Sequence, residues 1–122
     1  MKIDIRFRGI ARTAEDVNYT EKRLRFALGR IAAPLARVRV TIADVNGPHG
    51  GVDKWCQIVF HEGTVGTLRV AATSEDVRTA VDTASHRLAR AVGHAVERRR
   101  EFVAADFAAE EFGDDEAVSA AE

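Results

Sequence analysis

Residues 37–73 read RVRVTIADV (37–45), NGPHGGVD (46–53), KWCQIVFHE (54–62), GTV (63–65) and GTLRVAAT (66–73). In each of the three longer runs the apolar residues alternate with polar ones: Val38, Val40 and Ile42, then Cys56, Ile58 and Phe60, then Leu68, Val70 and Ala72. That period of two is the mark of a strand with one buried face. The joining segments carry Asn46-Gly47-Pro48-His49-Gly50-Gly51 and Gly63 with Gly66, turn-forming residues that predict hairpin loops. The reading is an antiparallel meander of three strands, over 37–45, 54–62 and 66–73.

Working outward, residues 2–8 alternate again, with Ile3, Ile5 and Phe7 on one side and Lys2, Asp4, Arg6 and Arg8 on the other. Gly9 ends that strand, and Thr13 with Asp16 three residues later starts a helix expected over about 14–32. Its Val17, Leu24, Leu28 and Ile31 share a side at 100° per residue, and Pro34 stops it. On the far side of the meander, Ser74 with Asp76 or Val77 opens a second helix. Val77, Val81, Ala84, Leu88, Val92 and Ala95 form its apolar stripe, which carries it to about Arg100. The fold class is therefore α+β, in the order β-α-β-β-β-α. Each strand has a single apolar face, so both helices are expected on one side of a four-stranded sheet, leaving the other side wet. Residues 1–102 make one domain; residues 103–122 lack a core-forming period and read as an acidic tail, a frayed helix or a disordered segment.

A chain of 122 residues with 46% hydrophobic and 30% charged residues can build one core, which excludes global disorder. No run approaches the roughly 18 to 20 apolar residues of a membrane span, and MKIDIRFRGI has no apolar stretch of the kind a signal peptide needs, so a cytoplasmic location is expected. Cys56, the single cysteine, has no partner for an internal disulfide. The net charge of −1 hides an asymmetry: residues 1–100 carry all 18 Lys and Arg against 11 acids, a net of +7, while residues 101–122 carry eight acids and no base. A basic body points to an anionic partner.

The cations fall on three surfaces. On the second helix, Arg87, Arg90, His94 and Arg98 make one stripe without an acid until Glu101, an arrangement that offers guanidinium forks to a phosphate backbone. A solvated face with scattered cations is the plainer explanation. On the first helix, Tyr19, Arg23, Phe26 and Arg30 lie close to opposite the apolar side, with Lys22 beside them. Aromatics among cations suit base stacking with phosphate contact, and equally an oligomer interface or a slightly rotated helix. The open sheet face adds Arg6, Arg8, Arg37, Arg39 and Arg69 with Trp55 and His61, a setting for single-stranded RNA or for pairing of two copies. No catalytic motif is present: GxSxG, HExxH and GxxxxGK[ST] are absent, and the 47–51 glycine cluster sits in a hairpin with no helix following it. His49, Cys56 and His61 make no metal site, because Cys56 points inward and His61 outward. Asp44 and Asp53 flank the loop as turn formers rather than as an acid–base pair. No cofactor, catalytic residue or metal ligand is expected.

The element order, the segment Ser-Glu-Asp-Val-Arg-Thr-Ala-Val-Asp (74–82), Arg87-Leu88-Ala89-Arg90, and above all residues 44–56 (DVNGPHGGVDKWC) resemble the ribosome hibernation promoting factor and ribosome-associated inhibitor A family, also called sigma-factor modulation proteins. The resemblance covers about residues 1–100 and corresponds to the short form. It departs from the family at Val77, where an aromatic often stands, and in having few lysines. The resemblance implies a non-enzymatic domain that lies between head and body of the small ribosomal subunit, binds ribosomal RNA near the decoding region and silences translation under stress. By position it assigns RNA contact to Arg87, Arg90 and Arg98, with His94 where a lysine or arginine is common, and to Lys22, Arg23 and Arg30. The dimerisation domain of long forms has no counterpart in these residues, so ribosome pairing through it is not expected. The implied partners are the small subunit and its RNA, with no membrane or small-molecule substrate and with scope for weak self-association. Two other readings remain: a structured-RNA-binding domain of different specificity, since the last five elements share the α-β-β-β-α order of double-stranded RNA-binding domains, and a protein-interaction module pairing through its open sheet face.

Overall fold

A computed structural model describes residues 1–29, 35–45 and 53–112, with side chains as far as residue 105. Its elements are β1 (Lys2–Arg8), α1 (Ala14–Leu28), β2 (Arg37–Asp44), β3 (Lys54–Glu62), β4 (Gly66–Ser74) and α2 (Val77–Phe112). The four strands form one sheet in the order β1-β2-β3-β4. The meander is as expected, with β2–β3 and β3–β4 antiparallel, whereas β1 runs parallel to β2. A parallel pair needs a crossover, and α1 supplies it.

The alternation in sequence becomes two faces. Val38, Val40, Ile42, Cys56, Ile58 and Phe60 are buried, and they share one core cluster with Leu24 and Leu28 of α1 and Val81, Ala84, Leu88 and Val92 of α2. Both helices therefore cover the same face. Three polar residues are buried with them: Thr20, Asp53 and Ser85.

Local chemistry sets the boundaries. Thr13 caps α1 by accepting a hydrogen bond from the Asp16 amide at 3.1 Å. That helix ends at Leu28 with Gly29 as its C-cap, short of the expected residue 32, because glycine is the weakest helix former after proline. Arg30, Ile31 and Pro34 lie outside the described residues, as does the loop 46–52 with His49. At the base of that loop, the Val45 amide donates to the Asp53 carbonyl at 2.8 Å. Lys54 Nζ reaches Asp53 Oδ1 at 2.8 Å and Asp44 Oδ2 at 3.3 Å, so the buried Asp53 is held by a cation as well as by the turn. The 63–65 turn is organised by Glu62, whose carboxylate accepts from the Thr64 hydroxyl (2.5 Å), the Thr64 amide (3.1 Å) and the Val65 amide (3.1 Å). Gly66 follows at φ 90°, a conformation that favours glycine.

The second helix corrects the sequence reading most. It continues past Arg100 to Phe112, 36 residues or about 54 Å. Loss of the core-facing stripe after Ala95 removes tertiary support but not helix propensity, since residues 101–112 are rich in Ala and Glu and contain neither Gly nor Pro.

Candidate nucleic-acid interface

Two sets of contacts fix how α2 is rotated. On one flank it meets α1: Asp82 Oδ1 accepts from the Tyr19 hydroxyl at 2.6 Å and from Arg23 Nε at 3.2 Å, and Arg78 Nε lies 3.9 Å from Asp16 Oδ1. The Arg78 guanidinium also stacks over the Tyr19 ring, 4.9 Å from its centroid. On the opposite flank, Arg87 Nη1 donates to the Ala71 carbonyl of β4 at 2.6 Å. With the core stripe pointing at the sheet, the remaining face of α2 looks outward.

The four cationic positions of α2 can be placed on this frame. Arg98 stands eleven residues beyond Arg87, about 20° further round, and His94 lies close to the same line, so these three occupy the β4 flank. Arg90 is turned further outward. All four side chains are exposed. Arg90, His94 and Arg98 have no ion-pair partner among the described residues, whereas Arg87 is engaged by the sheet through Ala71. Exposed cations without local counter-charges can bind an anionic backbone at little cost of rearrangement.

The α1 cations stand on the other side. Lys22 is exposed, and Arg23 is half-buried in the α1–α2 seam with a side chain 29% accessible. Phe26 is 86% exposed, with the Arg23 guanidinium 5.9 Å from its ring centroid, as its place opposite the apolar side requires. Tyr19 departs from expectation: instead of facing solvent it packs against the core and clamps Asp82. Its hydroxyl is held protonated above the usual tyrosine range, chiefly because it donates to the Asp82 carboxylate, with burial second. Lys22 and Arg23 are thus separated from Arg87, His94 and Arg98 by the width of α2, and Arg90 lies between the groups.

Sequence reasoning passed over Asp82, the hub of the seam, and Arg78, which links Asp16 and Tyr19. Their signal was an acid and a base at i and i+4 on the flank of α2, legible only once the neighbouring helix is known. His86 and Arg99 are further exposed basic side chains of the same helix. Among the described residues no cluster of three or more His, Cys, Asp or Glu could hold a metal ion. Cys56 is fully buried, and burial pushes its thiol up to about 12. His61 points the other way, exposed on the open sheet face with Nδ1 2.8 Å from Thr67 Oγ1. No helix among the described residues is long and apolar enough to cross a membrane.

The fold has known counterparts. The N-terminal domain of Protein Y from Thermus thermophilus is 22% identical and superposes with a TM-score of 0.62, covering 75% of this chain and 96% of that one. A ribosomal subunit interface protein from Coxiella burnetii is 18% identical with a TM-score of 0.60, over 77% of this chain and 96% of the other. None of the curated proteins compared with the chain matches it significantly. The family model described as sigma 54 modulation protein / S30EA ribosomal protein matches residues 3–100, the whole α+β body from β1 through the basic part of α2. With nearly all of its packed residues inside that match, the chain belongs to the sigma 54 modulation protein / S30EA ribosomal protein family, the ribosome-associated hibernation proteins that its sequence resembles.

Proposed function

We propose that this chain is a non-enzymatic factor that binds the small ribosomal subunit, contacts its RNA near the decoding region and inhibits translation under stress. The observation that carries the reading is the outward surface of α2, where Arg90, His94 and Arg98 are exposed and lack ion-pair partners among the described residues. Membership of a ribosome-associated family supports the ribosome as the anion. Affinity then comes mainly from phosphate contacts, with Arg87 contributing from its seat on β4 and Lys22 and Arg23 from α1; Arg30 belongs to the same proposal by sequence. Inhibition is steric, since a folded body at the decoding region excludes messenger and transfer RNA.

The test is sedimentation of cell extract through gradients at low and high salt, with the wild-type chain and with Arg90→Glu/Arg98→Glu. Neither arginine has a described structural partner, so the variant keeps the fold. The wild type should travel with small subunits or whole ribosomes at low salt and the variant should stay at the top. Each lost phosphate contact should lower the salt dependence of binding by about 0.7 to 0.9 log units per log unit of salt. Wild-type protein that stays at the top at low salt, or a folded variant that sediments unchanged, refutes the reading.

A further inference from the structure

The sheet face turned away from both helices holds a second cationic surface. Lys2, Arg6 and Arg8 of β1, Arg37 and Arg39 of β2, and Arg69 of β4 all point to it and are exposed. Register places Lys2 beside Arg37 and, one row along, puts Asp4 beside Arg39 and Arg39 opposite Val59, whose other neighbour is Arg69. These side chains line an open concavity of about 720 Å³.

Asp4 is the only acid lining the concavity among the described residues. It lies 3.2 Å from Arg6 Nε and 3.9 Å from Arg39 Nε, leaving Lys2, Arg8, Arg37 and Arg69 with no ion-pair partner among those residues. A merely solvated sheet face mixes signs, because like charges on adjacent strands repel and weaken the sheet. Lys2 beside Arg37 incurs that repulsion, and a bound polyanion would relieve it.

The shape and the residue types identify the polyanion. Five of the six cations are arginines, whose planar forks match phosphate oxygens. Between them the floor is a pleated surface with Gln57 and Thr41 as hydrogen-bonding groups and Val59 as an apolar one. At the far end, one row beyond Gln57, the half-buried Trp55 presents an aromatic surface beside Ala43 and Thr73. Phosphate forks, hydrogen-bonding side chains and an aromatic surface on a concave sheet suit an unpaired strand, whose bases are free to lie on the floor. An acidic peptide would use the cations and leave Trp55 without a role.

We infer that the open sheet face is a binding site for single-stranded nucleic acid. It lies on the opposite side of the sheet from α2, so the inference does not rest on the proposed ribosomal contact. A chain held through its helices keeps this face available for a second strand.

The test uses the full chain and a fluorescein-labelled uridine 12-mer, read by anisotropy at 50 and 200 mM salt, with Trp55 emission recorded in parallel. Binding is expected with quenching of Trp55, at least tenfold weaker at the higher salt. Arg37→Glu/Arg69→Glu should weaken it at least tenfold, and Arg90→Glu/Arg98→Glu on α2 should leave it within twofold. Should the reversed pair fail to fold, Arg37→Gln/Arg69→Gln, which introduces no acid, should still weaken binding at least threefold. The inference is overturned by no binding at 50 mM salt, by unchanged affinity of the sheet-face variants, by loss confined to the α2 variant, or by polyglutamate competing as well as the oligonucleotide at equal charge. Failure of ribosome sedimentation with retained oligonucleotide binding would refute the helix interface alone.

Discussion

Replacing Asp82 by alanine removes the acceptor that ties α1 to α2. The Tyr19 hydroxyl reaches it at 2.6 Å and Arg23 Nε at 3.2 Å, both on the same carboxylate oxygen. A hydrogen bond to a charged acceptor contributes about 1.5–3 kcal/mol when well buried. Here the Asp82 side chain is 42% exposed and that of Arg23 29%, so solvent screening discounts the ion pair to less than about 1 kcal/mol. The tyrosine bond, closer to the core, should retain about 1 kcal/mol. Asp82→Ala is therefore expected to cost about 1.5 kcal/mol and to lower Tm by about 6–10 °C in a domain of this size. A cycle with Tyr19→Phe isolates the pair: denaturant unfolding of both single variants and the double should give a coupling of about 1 kcal/mol. Tyr19 is the only tyrosine, so absorbance titration reads it directly; its ionisation, raised by the bond to Asp82, should fall towards 10 in Asp82→Ala. The sign follows from that shift. Because the folded-state value is raised, the stabilisation is complete below the unfolded value of about 10 and is lost as pH climbs through the folded one. A coupling below about 0.3 kcal/mol, or an unchanged tyrosine titration in the variant, would refute the clamp.

Other regions make independent predictions. Ser85 is buried in α2 with a hydroxyl that lacks a hydrogen-bond partner, so Ser85→Ala should hold or raise Tm where most core substitutions lower it; a clear loss of stability would show that the hydroxyl is satisfied. The Cys56 thiol, buried and pushed up to about 12, should resist a thiol-specific disulfide reagent at pH 8 in native protein and react fully in denaturant. Glu62 is held below the usual glutamate range, first by the Thr64 hydroxyl. Its contribution to stability is present above the unfolded value of about 4.3 and fades as pH falls through the depressed folded one, so Glu62→Gln should flatten the acid limb of the Tm–pH profile.

The strands were legible because alternation is a local signal with a single physical cause. Val38, Val40 and Ile42 are buried and Arg37 and Arg39 exposed, as the period of two requires. The start of α1 was legible for a similar reason, since Thr13 needs only the amide of Asp16 to cap the helix. Its end was less so: the apolar period continues to Ile31, but Gly29 lies in the last turn and carries its conformational cost there. The length of α2 escaped because core periodicity was used to end it. A helix can outrun its core when Ala and Glu sustain it, and residues 101–112 do so.

The cationic surfaces show a different limit. A helical wheel measures each residue against its own helix's buried side and carries no information about a neighbour. On that measure Tyr19 and Phe26 are equivalent, both nearly opposite Leu24. In the fold, Phe26 is 86% exposed and Tyr19 is drawn into the seam by Asp82, because α2 covers the part of α1 that carries Tyr19 and leaves the part that carries Phe26 uncovered. The same neighbour divides the cations. Arg23 is drawn to Asp82 on one flank of α2 and Arg87 to Ala71 on the other, each partly committed to holding the fold. A ligand that meets both flanks must cross the outward face, where Arg90 and His86 are exposed. Reversal of Arg90 therefore acts at the centre of any such interface, whereas reversal of Arg87 mixes a lost contact with a loosened sheet edge, and only the former isolates binding from stability.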